Sequence, residues 1–221
     1  MKPILSFLFL LLYTISATAS IRDGFYVGAG AARTHDQLKL NTTLLSTHFS
    51  MTNEADDGST LGNLFVGFGN TSPSAFFLGG ELGTNFPSHS VFINGRSALT
   101  MATVVSNTLK ITDYLTFDLL PGYLIGQNLL VYGRAGIVYG SLTLKQPATP
   151  LVPGFNSSDT VCGGRFGLGT TFALDEHFGI GFDYYYTIYQ QYKFTAVPNN
   201  TQFESNVSSN FFGLSLLYKI W

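Results

Sequence analysis

The chain has 221 residues, of which 11% are charged and 15% aromatic, with a formal net charge of -2. That charge excludes an electrostatic nucleic-acid binder, and a single cysteine excludes a disulfide framework. Four scattered histidines and that one cysteine make no metal-ligand spacing, so neither a metal nor another cofactor is expected.

The N-terminal stretch MKPILSFLFLLLYTISATAS has Lys2, an apolar run from Pro3 to Tyr13, and Ala17-Thr18-Ala19 before Ser20. This is the pattern of a cleaved export signal over residues 1–19, and the run is shorter than the ~20 residues a spanning helix needs. Residues 20–221 then form one domain. They carry far fewer charges than the ~25% of ordinary globular domains. The most apolar region, 115–139, is interrupted by Asp118, Pro121, Gly122, Gln127, Asn128 and Arg134. A chain this apolar without spanning helices can still sit in lipid as a closed β-barrel, in which every backbone group is paired.

Period-two patterning predicts eight strands. They cover 24–34, 61–69, 75–86, 108–124, 129–143, 161–173, 178–189 and 206–221. Each has a bulky apolar face and a small or polar one. In the fourth, Leu115, Phe117, Leu119 and Tyr123 oppose Tyr114, Thr116, Asp118 and Gly122. In the last, Phe212, Leu214, Leu216, Tyr218 and Ile220 form the lipid-facing row, with Trp221 one residue out of phase. The connections alternate long and short, the long ones covering 36–59, 87–106, 145–160 and 196–205. The predicted fold is therefore all-β: an eight-stranded antiparallel transmembrane up-and-down β-barrel with short periplasmic turns and four longer extracellular loops. The last strand should pair with the first, which removes both edges.

The small face supplies Glu81, Asp118, Arg134, Arg165, Asp183 and Lys219. A cation at mid-bilayer on the lipid side costs ~2–4 kcal/mol. Facing inward, these groups can pair and plug an eight-stranded lumen. Their expected role is a structural ion-pair network.

The segments LTFDLLPGY (115–123), LLVYGRAGIVYG (129–140) and FGLG (166–169), with an aromatic C-terminus, resemble the OmpA/OmpX-like and opacity-like family of small outer-membrane barrels. The resemblance implies a bacterial outer-membrane protein whose loops meet host factors, phage or lipopolysaccharide. It also implies assembly by the insertion machinery acting on the last strand. The peptidoglycan-binding domain of longer OmpA-type proteins is expected to be absent.

Catalytic patterns are weak. His48-Phe49-Ser50 has the H-x-S spacing of barrel lipid A deacylases, but it falls in a long loop with no acid to orient the histidine. Ser88-His89-Ser90 is weaker still. NEADDGS (53–59) lacks the ligand alternation of a calcium loop. The expectation is a monomeric, non-enzymatic protein with a structural or surface-contact role. The alternatives are a small passive pore and a lipid A-modifying hydrolase.

Overall fold

The computed structural model describes residues 20–96, 104–150, 154–196 and 201–220. The export signal expected over residues 1–19 and Trp221 lie outside them. The described residues form ten strand segments. These are β1 (Gly24–Leu44), β2 (Phe49–Thr71), β3 (Phe76–Phe86), β4 (His89–Arg96), β5 (Val104–Ile125), β6 (Leu129–Gln146), β7 (Phe155–Ala173), β8 (Phe178–Tyr189), β9 (Tyr192–Ala196) and β10 (Thr201–Lys219).

All pairings are antiparallel, and β1 pairs with β10 along its length, from Tyr26↔Lys219 to Leu44↔Thr201, closing the ring. β4 continues β3 along β5, and β9 continues β8 along β10. Ten segments minus these two continuations give eight staves, in agreement with the eight predicted strands. The turns at one end are short: Gly126, with φ of 67°, starts the reversal between β5 and β6 in the left-handed region that glycine tolerates. We call this end lower.

The long connections are mostly not loops. Residues 36–44 and 49–59 are a β-hairpin with a four-residue tip at 45–48, in which Leu38, Leu40 and Thr42 alternate inward against the outward Gln37, Lys39 and Asn41. His89–Arg96 and Val104–Ser106 are likewise strand, as are Phe155–Thr160 and Thr201–Ser205. The staves therefore rise well above the lower half.

The two halves have opposite polarity. In the lower half the outward residues are apolar and exposed, as with Phe25, Leu64, Phe117 and the whole row Phe212, Leu214, Leu216, Tyr218 and Ile220. Inward residues there are glycines, polar or charged groups and, near the lower mouth, a few buried apolar side chains such as Phe77, Leu120 and Leu217. Above a level marked by Ala31 on β1 and Tyr139 on β6, the pattern reverses. Gln37 and Lys39 face out while Leu38 and Leu40 face in; Ser141, Thr143 and Lys145 face out while Leu142 and Leu144 face in. On β5 a bulge between Asp113 and Leu115 marks the change and shifts the phase by one residue. It turns Tyr114 outward, against the predicted inward placement, and its hydroxyl lies 3.0 Å from Ser141 Oγ.

The upper half also splits. β2 pairs with β3 only up to Gly62, and β7 pairs with β8 only up to Gly163. Above these points two four-stranded sheets, β9-β10-β1-β2 and β4-β5-β6-β7, face each other. Leu38, Leu40, Phe203 and Val207 from one pack on Val91, Ile93, Leu109, Ile111, Leu142 and Leu144 from the other. This is a small sandwich core built on a barrel. The Phe155 ring of β7 packs tilted against Phe203 at 4.8 Å, and Ser157 Oγ lies 2.6 Å from Tyr192 Oη, tying one seam.

Candidate functional site

The lower lumen is filled. Near its mouth, Ile21, Leu217 and Ala173 form one apolar cluster, and Phe77, Leu120 and Leu130 another. Above them lies a charged layer. Arg134 on β6 reaches three carboxylates at once: Glu81 on β3 at 2.8 Å, Asp118 on β5 at 2.6 Å and Asp183 on β8 at 3.0 Å. Arg165 on β7 grips both oxygens of Asp118, its Nε donating at 2.6 Å to Oδ1. Arg22, in the lead before β1, is fully buried; it ion-pairs with Glu81 and donates to Thr171 Oγ1 (2.8 Å) and Tyr132 Oη (2.9 Å).

Three guanidiniums thus face three carboxylates. Tyrosines complete the layer. Tyr132 donates to Asp183 at 2.8 Å and Tyr26 to Glu81 at 3.1 Å. The Arg165 guanidinium sits 4.7 Å over the Tyr185 ring, which stacks on Phe211 at 4.1 Å. Pairing on this scale is what keeps buried charge from being prohibitive. Glycines make the room: a Cβ on Gly136 would lie 2.0 Å from Asp118 Oδ1 and 2.2 Å from the Phe117 carbonyl.

Glu81, Asp118, Arg134, Arg165 and Asp183 therefore come together. Lys219 does not join them. It sits at the lower mouth, half-buried, with Nζ 3.4 Å from the Ser20 carbonyl, too low on β10 to reach the carboxylates. The third base is Arg22. Its position before the first strand gave it no face in a period-two reading; the only signal was an unassigned arginine just past the expected export signal.

A second polar layer lies above the charged one. Asp36 on β1 is fully buried and accepts from Ser209 Oγ of β10, with His89 Nε2 of β4 at 3.3 Å. Asp113 on β5 accepts from Tyr189 Oη (2.9 Å) and Asn85 Nδ2 (3.0 Å). So His89 does meet an acid. The serine, however, donates its proton to the carboxylate, and the group is buried, with the apolar sandwich core above it. His48 is exposed at the β1–β2 tip. Glu54 and Asp56 of NEADDGS point outward from β2, within ion-pair distance of Lys39 (2.8 Å) and His35 (3.8 Å). No cluster of metal-ligating side chains occurs among the described residues.

A family model described as an outer membrane protein beta-barrel domain matches residues 5–219. The chain belongs to this family. It is an outer-membrane β-barrel protein, which places it in the bacterial outer membrane in contact with its lipid. Among solved structures it is similar to outer membrane protein OprG from Pseudomonas aeruginosa (17% identity, 92% of this chain and 98% of that chain, TM-score 0.59). It is also similar to the outer membrane protease OmpT from Escherichia coli (9% identity, 95% and 100% covered, TM-score 0.56). Neisserial surface protein A matches more loosely (12% identity, 90% and 98% covered, TM-score 0.43). These likenesses concern the fold. No curated protein matches the sequence.

Proposed function

We propose that this barrel is a monomeric, non-conducting and non-enzymatic surface protein. Its short turns face the periplasm, and its two-sheet upper half stands outside the cell and makes the contacts. The observation that carries the reading is the pairing of a plugged lower lumen with a rigid, folded extension of every stave above the lipid belt. A pore needs the lumen open. A lipid-modifying hydrolase needs an accessible nucleophile beside a base, whereas Ser209 donates to Asp36 and both it and His89 are buried beneath apolar packing. The reading includes export by the cleaved signal and insertion directed by the last strand, whose apolar row faces lipid.

Three measurements test it. With Cys162 replaced by serine, a cysteine placed at the outward Ser50 of β2 should react on whole cells with a membrane-impermeant maleimide; protection until lysis would reverse the orientation. Planar bilayers containing the purified protein should show no steady conductance, and stable channels would favour the pore. Cells with and without the gene should give identical lipid A masses but differ in adhesion to host-matrix and glycan surfaces. A lipid A mass change would establish the hydrolase instead.

A further inference from the structure

Ser20, Ile21 and Arg22 are buried although they belong to no strand. With Asp23 they close into a tight turn. Asp23 N donates to the Ser20 carbonyl at 3.0 Å, and Ser20 N donates to Asp23 Oδ2 at 3.2 Å. Gly24, with φ of 79°, bends this turn back from β1 into the lower mouth.

The seat of this turn is built from seven of the eight staves. Asp23 Oδ1 accepts from Thr71 Oγ1 of β2 at 2.7 Å, and the Ser20 carbonyl faces Lys219 Nζ of β10 at 3.4 Å. Ile21 lies over Gly179 of β8, where a Cβ would come within 3.0 Å of it. The Arg22 guanidinium reaches the other four: Tyr26 Oη of β1 at 3.2 Å, Glu81 of β3, Tyr132 Oη of β6 at 2.9 Å and Thr171 Oγ1 of β7 at 2.8 Å. It also sits 4.7 Å over the Tyr132 ring.

These partners are spread from residue 26 to residue 219, so the seat does not exist until the staves stand side by side. The entropy of bringing such distant segments together is met by strand pairing, before Arg22 can complete its contacts. The turn itself holds only local bonds. We propose that residues 20–23 are a latch, which enters the closed barrel through its lower mouth as the last step of assembly and then holds the staves against reopening. Contacts that are absent while the ring closes leave the rate of closing alone and slow the reverse. The latch therefore sets the lifetime of the folded barrel and not the speed at which it forms.

The test is refolding of residues 20–221 from urea into lipid vesicles, followed by heat-dependent gel mobility. Arg22→Gln should form the folded band within about twofold of the wild-type rate. In urea it should lose that band about tenfold to a hundredfold faster, the range for loss of a charged hydrogen bond. Arg22→Lys should recover part of the lifetime. A second measurement follows the latch directly, with Ile21→Cys in a Cys162→Ser background and maleimide added at intervals. That cysteine should stay reactive after the folded band has appeared and become protected in a later phase. Adding Glu81→Gln should delay or abolish the protection while the band still forms. Failure of Arg22→Gln to form the band, or slowing of its folding in proportion to its lost stability, overturns the proposal, because the seat is then part of closure. An unchanged unfolding rate in Arg22→Gln overturns it too, as does protection of Ile21→Cys in step with the band.

Discussion

Single residues in the lumen hold more than their own contacts. Arg134 is the one cation shared by Glu81, Asp118 and Asp183. Arg134→Gln leaves three carboxylates against two guanidiniums, and breaking a buried pair from one side costs ~3–5 kcal/mol. Urea unfolding in lipid vesicles should show a loss of that size. Exposed Asp175, in the turn before β8, acts on a smaller scale. Its Oδ1 accepts from the backbone N–H groups of His177 and Phe178, both at 2.7 Å, and these bonds hold its carboxyl below the usual range. A depressed carboxyl stabilises the fold above its unfolded pKa of about 3.9, and that contribution disappears as pH falls through the lower folded value. Asp175→Asn should therefore remove part of the decline in unfolding midpoint between about pH 5 and pH 2. An identical decline in both proteins would sink the assignment.

At the scale of the strand, two features set tolerance to change. Gly167 faces the lumen where a Cβ would lie 2.1 Å from the Tyr184 carbonyl and 2.5 Å from Tyr185 Cα. Both contacts are main chain, so Gly167→Val should abolish the heat-modifiable folded band rather than merely shift it. In the upper half, Leu142 is fully buried in the sandwich core. Leu142→Ala should cost about 2–5 kcal/mol by urea unfolding, whereas truncation of the outward Thr143 should stay within about 0.5 kcal/mol.

The strands also show what could be read beforehand. In the lower halves the outward apolar row persists along each stave and the inward row is mostly small or polar, so the staves, their faces and five of the six charged-layer residues are visible from spacing alone. The upper halves alternate just as strictly in QLKL (37–40), TLKIT (108–112) and SLTLK (141–145). In QLKL and SLTLK the apolar residues have moved to the opposite parity, whereas in TLKIT they keep it and the bulge turns them inward. On β1 a search for one continuous bulky row reads that reversal as the polar loop predicted over 36–59. Arg22 escaped because it precedes the first strand, and the inward face expected of Tyr114 failed because a bulge displaces the phase without leaving a sequence mark.

Taken whole, the molecule stacks two solutions to the same problem of burying apolar surface. Below, lipid covers the apolar face and ion pairs fill the interior. Above, two sheets cover each other and water meets the Thr, Asn and Lys faces. The join lies where β2 parts from β3 and β7 from β8. It is bridged by the backbone bond from Gln190 N to the Cys162 carbonyl at 2.7 Å.

The reversal of polarity also acts as a depth gauge. Raising or lowering the barrel by one residue pair would carry Arg33, Lys110 and Lys145 into hydrocarbon, or lift Leu115 and Phe212 into water. Cations near the interface cost up to about 1 kcal/mol each, rising toward the midplane. The molecule should therefore hold its height when bilayer thickness changes, and the lipid should stretch or compress to meet it. In vesicles of increasing acyl-chain length the unfolding midpoint should fall steadily once the hydrocarbon exceeds the belt, while the fluorescence of a probe on Cys162, outward at the belt's upper rim, stays at the interface. A probe that sinks as the chains lengthen would mean that the belt edge does not set the depth.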